Sequence, residues 1–322
     1  MIEFAGRIAV VTGGGTGMGR ELVRQLTAEG CTVAMCDVNA ATMAETMRLA
    51  EAAGLPQGTR ITTHLCDIGK EEDIQRFQRE VADQLKTDRI HFLFNNAGIG
   101  GGGSFVNADR GEWERTFNIC WGGVYWTSRA FLPMLLNADR AHITNTSSVN
   151  GFWASIGPTT PHTAYSAAKF AVKGFTEALI TDLRLNAPHV TCSVVMPGHI
   201  GTAIAMNTRS VLKDGANDVT PAELVQARAR MKAQGIDPTP FSDEQIAALI
   251  ADMGRRFQDD APMTAAAAAT VILNDVKSGR WRILVGDDAH AIDKAVRANP
   301  EVVYDPDFRN PFQFTQEREP AA

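Results

Sequence analysis

Short, continuous apolar runs punctuate the chain at 7–12 (RIAVVT), 32–37 (TVAMCD), 60–67 (RITTHLCD), 90–96 (IHFLFNN), 141–148 (AHITNTSS), 190–197 (VTCSVVMP) and 281–286 (WRILVG). They do not alternate polar with apolar positions, the pattern expected of strands covered on both faces. Between them lie longer stretches of helical spacing at 17–30, 40–53, 71–87, 110–136 and 164–186. Strand and helix in alternation predict an α/β fold, a doubly wound parallel sheet of seven strands with helices on both faces. The right-handed crossover rule leaves few topologies for it.

Helix start signals agree. Asp109 with Glu112 reads as a capping pair, as does Thr220-Pro221-x-Glu223, with proline at the first helical position. Ser242 with Gln245 opens 243–257, where Ile246, Leu249, Ile250, Met253 and Phe257 share one face. A second helix is expected at 221–234, and the run TAAAAAT (264–270) as the start of another. The organisation expected is a single domain over 1–290, with 203–262 inserted as a lid, and a tail over 291–322. The tail is proline-rich, and Phe308, Phe312 and Phe314 are the candidates to pin it.

Composition narrows the class. The chain has 322 residues, 44% hydrophobic and 21% charged, with a net charge of −6. It lacks the basic stripe of a nucleic-acid surface, and no run of apolar residues is long enough to span a membrane. The opening MIEFAGRIAVVTGGG holds too short an apolar run for a signal peptide, so a cytoplasmic location is expected. Cys31, Cys36, Cys66, Cys120 and Cys192 form no C-x-x-C pair and do not cluster with histidine. They read as buried hydrophobes in a reducing compartment, and no metal site is expected.

The first strand runs into Thr12-Gly13-x-x-x-Gly17-x-Gly19 and then a helix. Glycines there let the backbone approach a pyrophosphate, and the helix N-terminus presents free N–H groups to it. Asp37 ends the second strand, where a carboxylate accepts from both ribose hydroxyls and repels a 2′-phosphate. Thr16 and Val38 offer no cation, so NAD is favoured over NADP. Farther on, Tyr165 and Lys169 stand one helical turn apart on one face.

Taken together, the chain resembles the short-chain dehydrogenase/reductase superfamily in its single-domain NAD(P)-dependent form. The matches are the glycine pattern, Asp67 after the third strand, NNAG (95–98), Asn118, Ser148, Tyr165-x-x-x-Lys169 and PGHIGT (197–202), over residues 5 to about 290. The resemblance implies a Rossmann-like fold and a catalytic set of Asn118, Ser148, Tyr165 and Lys169. It implies cofactor contacts from Gly13, Thr16, Gly17, Met18, Gly19, Asp37, Asp67, Ile68, Asn95, Ala97, Gly98, Tyr165, Lys169, Pro197, Gly198, Ile200 and Thr202. In that scheme Asp67 holds the adenine amino group, with Ile68 against the ring. Asn95 lies beside the adenosine ribose, and Thr202 and the Ile200 backbone bond the carboxamide. Tyr165 is the general acid–base, its pKa drawn down by Lys169. Ser148 holds the substrate oxygen, and Asn118 anchors a water that links Lys169 to solvent. Ser148 lies seventeen residues before Tyr165, where members commonly have about thirteen, which leaves Ser147 as the other candidate. Pairing of subunits into a homodimer or homotetramer through the helices at 110–136 and 164–186 is also implied.

The long lid carries Ile204, Met206, Val211, Leu212, Met231, Phe241, Met253, Phe257 and Met263, and Phe105, Phe152 and Trp153 are expected near the same mouth. A bulky hydrophobic secondary alcohol or ketone is therefore the expected substrate. A hydroxysteroid dehydrogenase and a 3-oxoacyl reductase are alternatives. The latter wants a basic docking patch, for which Arg209, Lys213, Arg228, Arg230 and Lys232 are available. A non-catalytic dinucleotide sensor is the reading outside enzymes, and the presence of Tyr165 and Lys169 speaks against it. His199 either faces the nicotinamide or is a plain loop residue. The glycine run at 98–104 reads as a flexible wall of the site.

Overall fold

The computed structural model describes residues 2–157, 160–213, 219–233, 235–305 and 308. All seven predicted strands form one parallel sheet. In chain order the strands are β1 (Ile8–Thr12), β2 (Thr32–Asp37), β3 (Ile61–Leu65), β4 (Phe92–Asn95), β5 (Ala141–Thr146), β6 (Val190–Pro197), β7 (Ile200–Gly201), β8 (Met263–Thr264) and β9 (Arg282–Val285). The sheet order is β3-β2-β1-β4-β5-β6-β9, and β7 and β8 form a separate short pair. The winding reverses between β1 and β4, so a crevice opens outside the carboxyl ends of those strands.

Both faces are covered. On one side Leu22, Val23 and Leu26 of α1 (Gly17–Ala28) meet Ile272, Leu273 and Val276 of a later helix. On the other, Ile74, Phe77 and Val81 pack with Phe131, Met134, Leu135 and Leu183. The helices after α1 are α2 (Ala40–Ala52), α3 (Glu71–Leu85), α4 (Arg110–Phe117), α5 (Gly123–Leu136), α6 (Thr163–Asn186), α7 (Ile204–Leu212), α8 (Pro221–Ala233), α9 (Asp243–Asp259), α10 (Ala265–Lys277) and α11 (Asp287–Ala298). The Asp109 cap and the Ser242–Gln245 capping box form as expected.

Three regions differ from the pattern. The single helix expected over 110–136 opens into a π turn at Asn118–Gly122, between α4 and α5. Gly123 at its end lets Ile68 pack against the backbone; a Cβ there would lie 2.6 Å from Ile68 Cδ1. In the lid, α9 packs on α7, α8 and β7 but buries fully only Ile246, while Leu249 and Met253 are exposed. At the C-terminus, position 291, where a tail was expected to begin, lies inside α11, and Val303 beyond it is buried. Phe308 stacks near Trp153 at 6.0 Å, whereas Phe312 and Phe314 lie outside the described residues.

His142 on β5 is buried, its two ring nitrogens bonded to the hydroxyls of Thr191 (2.7 Å) and Ser193 (2.8 Å). Burial, helped by Arg140, lowers its pKa to about 4. Its folded pKa lies below the unfolded value, so its contribution to stability is complete above pH ~6.5 and is lost as pH falls toward ~4. Urea unfolding of His142→Gln at pH 7 and pH 4 is expected to show an acid loss smaller than wild type by about 3 kcal/mol.

Candidate active site

The crevice at the sheet's carboxyl edge is lined by Gly13, Thr16, Gly17, Met18, Asp37, Asp67, Ile68, Ala97, Gly98 and Thr202. Gly13 turns the chain at φ 69° and faces Ala97, whose Cα would lie 2.9 Å from an added Cβ. Gly19 sits behind the loop, where a Cβ would lie 1.9 Å from the Gly13 carbonyl oxygen. It touches no ligand space; it lets α1 close on β1. Helix α1 begins with no side-chain cap on Thr16 and no acid in its first turn, so its leading N–H groups are left for an anion.

Asp37 accepts from the N–H groups of Gly15 (3.0 Å) and Asn39 (3.1 Å). Burial pushes its carboxyl up, against those hydrogen bonds and nearby Arg20. A carboxylate has roughly four acceptor sites, so about two remain for a ribose diol. Asp67 is already engaged, by Arg115 at 2.5 Å and by the Gly69 N–H at 2.9 Å. The Thr12 hydroxyl accepts from the N–H groups of Asn96 and Ala97, both at 3.0 Å, which ties the ends of β1 and β4 together. Open glycine backbone, a free helix N-terminus and a carboxylate with spare acceptors fit a dinucleotide.

Some expected contacts are not brought here. Asn95 turns into the sheet interior, donating to Ser128 (3.0 Å) and Asn145 (2.8 Å); it braces β4 and β5, and Asn96 takes the cleft position. The Ile200 side chain is core, which leaves untouched the contact expected of its backbone. Pro197 ends β6, and a Cβ on Gly198 would meet the Asp288 carboxylate at 2.2 Å, so the chain there is tightly packed against the start of α11. His199 takes the plain reading: its imidazole bonds the Phe257 carbonyl and its N–H donates to Asp288 (both 2.6 Å).

Helix α6 sets Tyr165 and Lys169 one turn apart, Lys169 Nζ lying 5.4 Å from the phenol ring centroid. The buried ammonium donates to the Thr146 carbonyl at 2.8 Å. The two serines separate cleanly. Ser147 donates to the Lys169 carbonyl at 2.7 Å and faces the helix backbone, while Ser148 lies on the Tyr165 side, near enough to draw the phenol's pKa down. Burial pushes the Tyr165 phenol up, Cys120 adds to this, and Ser148 opposes it. The direction is thus opposite to the lowering expected from Lys169, whose Nζ lies 5.4 Å from the ring centroid and donates to the Thr146 carbonyl. Burial in turn lowers the Lys169 ammonium.

Asn118 does not join this group. It is exposed, while Cys120, two residues on and so on the opposite side of the helix, is buried. The Cys120 thiol donates to the Ile99 carbonyl at 3.1 Å. An added Cβ on Gly98 would lie 3.4 Å from Lys169 Nζ and 3.7 Å from Cys120 Sγ, so both flank that cleft residue.

The family model for short chain dehydrogenases matches residues 7–213. The chain belongs to that family. It is 32% identical to the oxidoreductase SadH of Mycobacterium tuberculosis over 92% of each chain. It is 32% identical to epidermal retinol dehydrogenase 2 of Homo sapiens over 63% of each. The crystal structure of a short chain dehydrogenase/reductase from Burkholderia phymatum in complex with NAD is similar at a TM-score of 0.74, with 28% identity, covering 94% of this chain and 96% of that one.

Within this short-chain dehydrogenase, several neighbours of the site gave no sequence signal. Asn207 and Thr208 of α7 reach the glycine loop and the glycine run, bonding Thr16 Oγ1 (2.9 Å) and the Gly100 N–H (2.8 Å). The glycine run is a packed wall: Gly102 and Gly103 carbonyls accept from the first N–H groups of α6, at 3.0 and 2.9 Å. His162 stacks on Tyr165 at 4.6 Å, and burial lowers its pKa to about 4, so it is neutral. Trp153, expected near the mouth, is buried away from it, and Phe105 is 78% exposed. Among the described residues, no group of three or more His, Cys, Asp or Glu could hold a metal ion. Gly19→Ala is expected to weaken dinucleotide binding at least about tenfold in a fluorescence titration, whereas Asn118→Ala leaves it within about twofold.

Proposed function

We propose that this chain is an NAD-dependent oxidoreductase acting between a bulky hydrophobic secondary alcohol and its ketone, with Tyr165 as general acid–base. The observation that carries the reading is the gathering of Ser148, Tyr165 and Lys169 beside Gly98, at the edge of the cleft that holds Asp37 and the glycine loop. The nicotinamide would supply the hydride acceptor or donor. The Ser148 oxygen accepts from the Asn150 N–H at 3.1 Å, so its own proton is directed to Tyr165 or to the substrate oxygen. Tyr165, kept protonated at neutral pH by burial, gives its proton to the oxygen as alkoxide charge develops. Lys169 lies 5.4 Å from the Tyr165 ring centroid and would hold the nicotinamide ribose of a bound cofactor.

The hydrophobic substrate is supported by Ile204 and Val211 of α7, which line the cleft. The retinol dehydrogenase among the relatives points the same way. An acyl-carrier docking patch is less favoured, because Arg209 and Lys213 pair with Glu223, and Arg228 with Asp243. Subunit pairing through α5 and α6 belongs to this reading, supported by Tyr125 and Phe170, which are 41% and 42% exposed. No described helix is long and apolar enough to cross a membrane. All five cysteines are free, in keeping with a cytoplasmic enzyme.

A panel of hydrophobic ketones and secondary alcohols with NAD and NADP, followed at the reduced-nicotinamide absorbance, tests the reading. Tyr165→Phe is expected to lower kcat by about 10²-fold or more with NAD affinity retained; near-full turnover would sink the mechanism. Asp37→Ser is expected to shift the NADP/NAD ratio of kcat/KM upward by at least about tenfold. Because the phenol is pushed up, the deprotonated form needed for oxidation grows about tenfold per pH unit, so log kcat/KM for oxidation rises with pH from about 6 to 9 while that for reduction stays flat.

A further inference from the structure

The turn that carries Ser148 is gripped from the far end of the chain. The Asn150 N–H donates to Ser148 Oγ at 3.1 Å, and its side-chain amide donates to the carbonyls of Trp153 (3.0 Å) and Ser155 (2.8 Å). Trp153 is 1% exposed and packs with Ile292 of α11 and with Val303. Its ring N–H donates to the Val303 carbonyl at 3.0 Å. The next residue, Ala154, donates its N–H to the Tyr304 hydroxyl at 3.1 Å. A connected run therefore leads from Tyr304 and Val303 through Trp153 and Asn150 to the serine beside Tyr165. None of these residues lines the nucleotide cleft.

We propose that Trp153 and Tyr304 are positioning residues for Ser148, so that the segment after α11 works as a clasp on the acid–base site rather than as a tail. A hydroxyl that must serve both a phenol and a substrate oxygen tolerates little displacement; an ångström can cost about 10²-fold in rate. The Val149–Gly151 turn is seated on α6 and closed by the Gly151 N–H on the Ser148 carbonyl (2.9 Å), whereas 152–155 is held through Trp153 and Ala154, and Asn150 is the link between the two parts. The proposal rests on the functional reading above, and the experiment separates the two.

Tyr304→Phe removes one hydroxyl, and Trp153→Phe removes one ring donor. Both are compared with wild type by hydrogen exchange over 148–157, by NAD titration and by steady-state kinetics. Exchange at the Asn150 amide is expected to speed up at least about tenfold and kcat to fall about tenfold, with NAD affinity within about twofold. In a Ser148→Ala background the Tyr304→Phe change is expected to cost nothing further in kcat, since the clasp acts through that serine. The proposal is overturned if the Asn150 amide keeps its protection, or if the two changes are additive. A joint fall of kcat, NAD affinity and melting temperature would also overturn it, as general loosening. If wild type binds NAD but turns over nothing in the panel, the functional reading fails, while Asn150 exchange still decides whether the clasp reaches Ser148.

Discussion

The site depends on one backbone approach. Helix α1 must end its first turn against the carboxyl end of β1 with no side chain between them. Gly19 makes this possible, since a single carbon there would overlap the Gly13 carbonyl at 1.9 Å. Once α1 is seated, its uncapped N–H groups point into the crevice, Gly15 delivers its N–H to Asp37, and the Thr12 hydroxyl gathers the β4 end. The nucleotide half of the site is built almost wholly from main chain, which is why small residues dominate it.

The acid–base half is built from side chains, and burial rules it. The phenol of Tyr165 is harder to ionise than free tyrosine, and the ammonium of Lys169 is harder to hold. On the proposed function, the phenol would then be a proton donor at neutral pH, beside an ammonium steadied by the Thr146 carbonyl. The separation of Ser147 from Ser148 belongs to the same economy: one serine closes the helix backbone, and the other is left to face the tyrosine.

Much of this was legible in the sequence, for physical reasons. Continuous apolar runs marked all seven strands of the main sheet, and glycines where no Cβ fits marked the loop. The failures share a cause too. Asn118 was placed beside Lys169 by resemblance to the family, but the helix opens into a π turn there, with Asn118 exposed and Cys120 buried instead. Asn95 was placed by its strand end, yet strand alternation points it into the sheet and leaves Asn96 at the rim. Trp153 was read as a pocket aromatic because nothing in the sequence told it that Val303, 150 residues later, would cover it. Contacts at such separation carry no local periodicity.

Helix α7 joins the two halves. Asn207 holds Thr16 in the nucleotide loop, and Thr208 holds Gly100 in the wall above the tyrosine. Neighbouring residues on a nine-residue helix cannot move independently. On the proposed function, a shift of the nucleotide loop would therefore pull on the glycine wall through one short helix, and any coupling of cofactor and substrate carried that way would be equal in both directions.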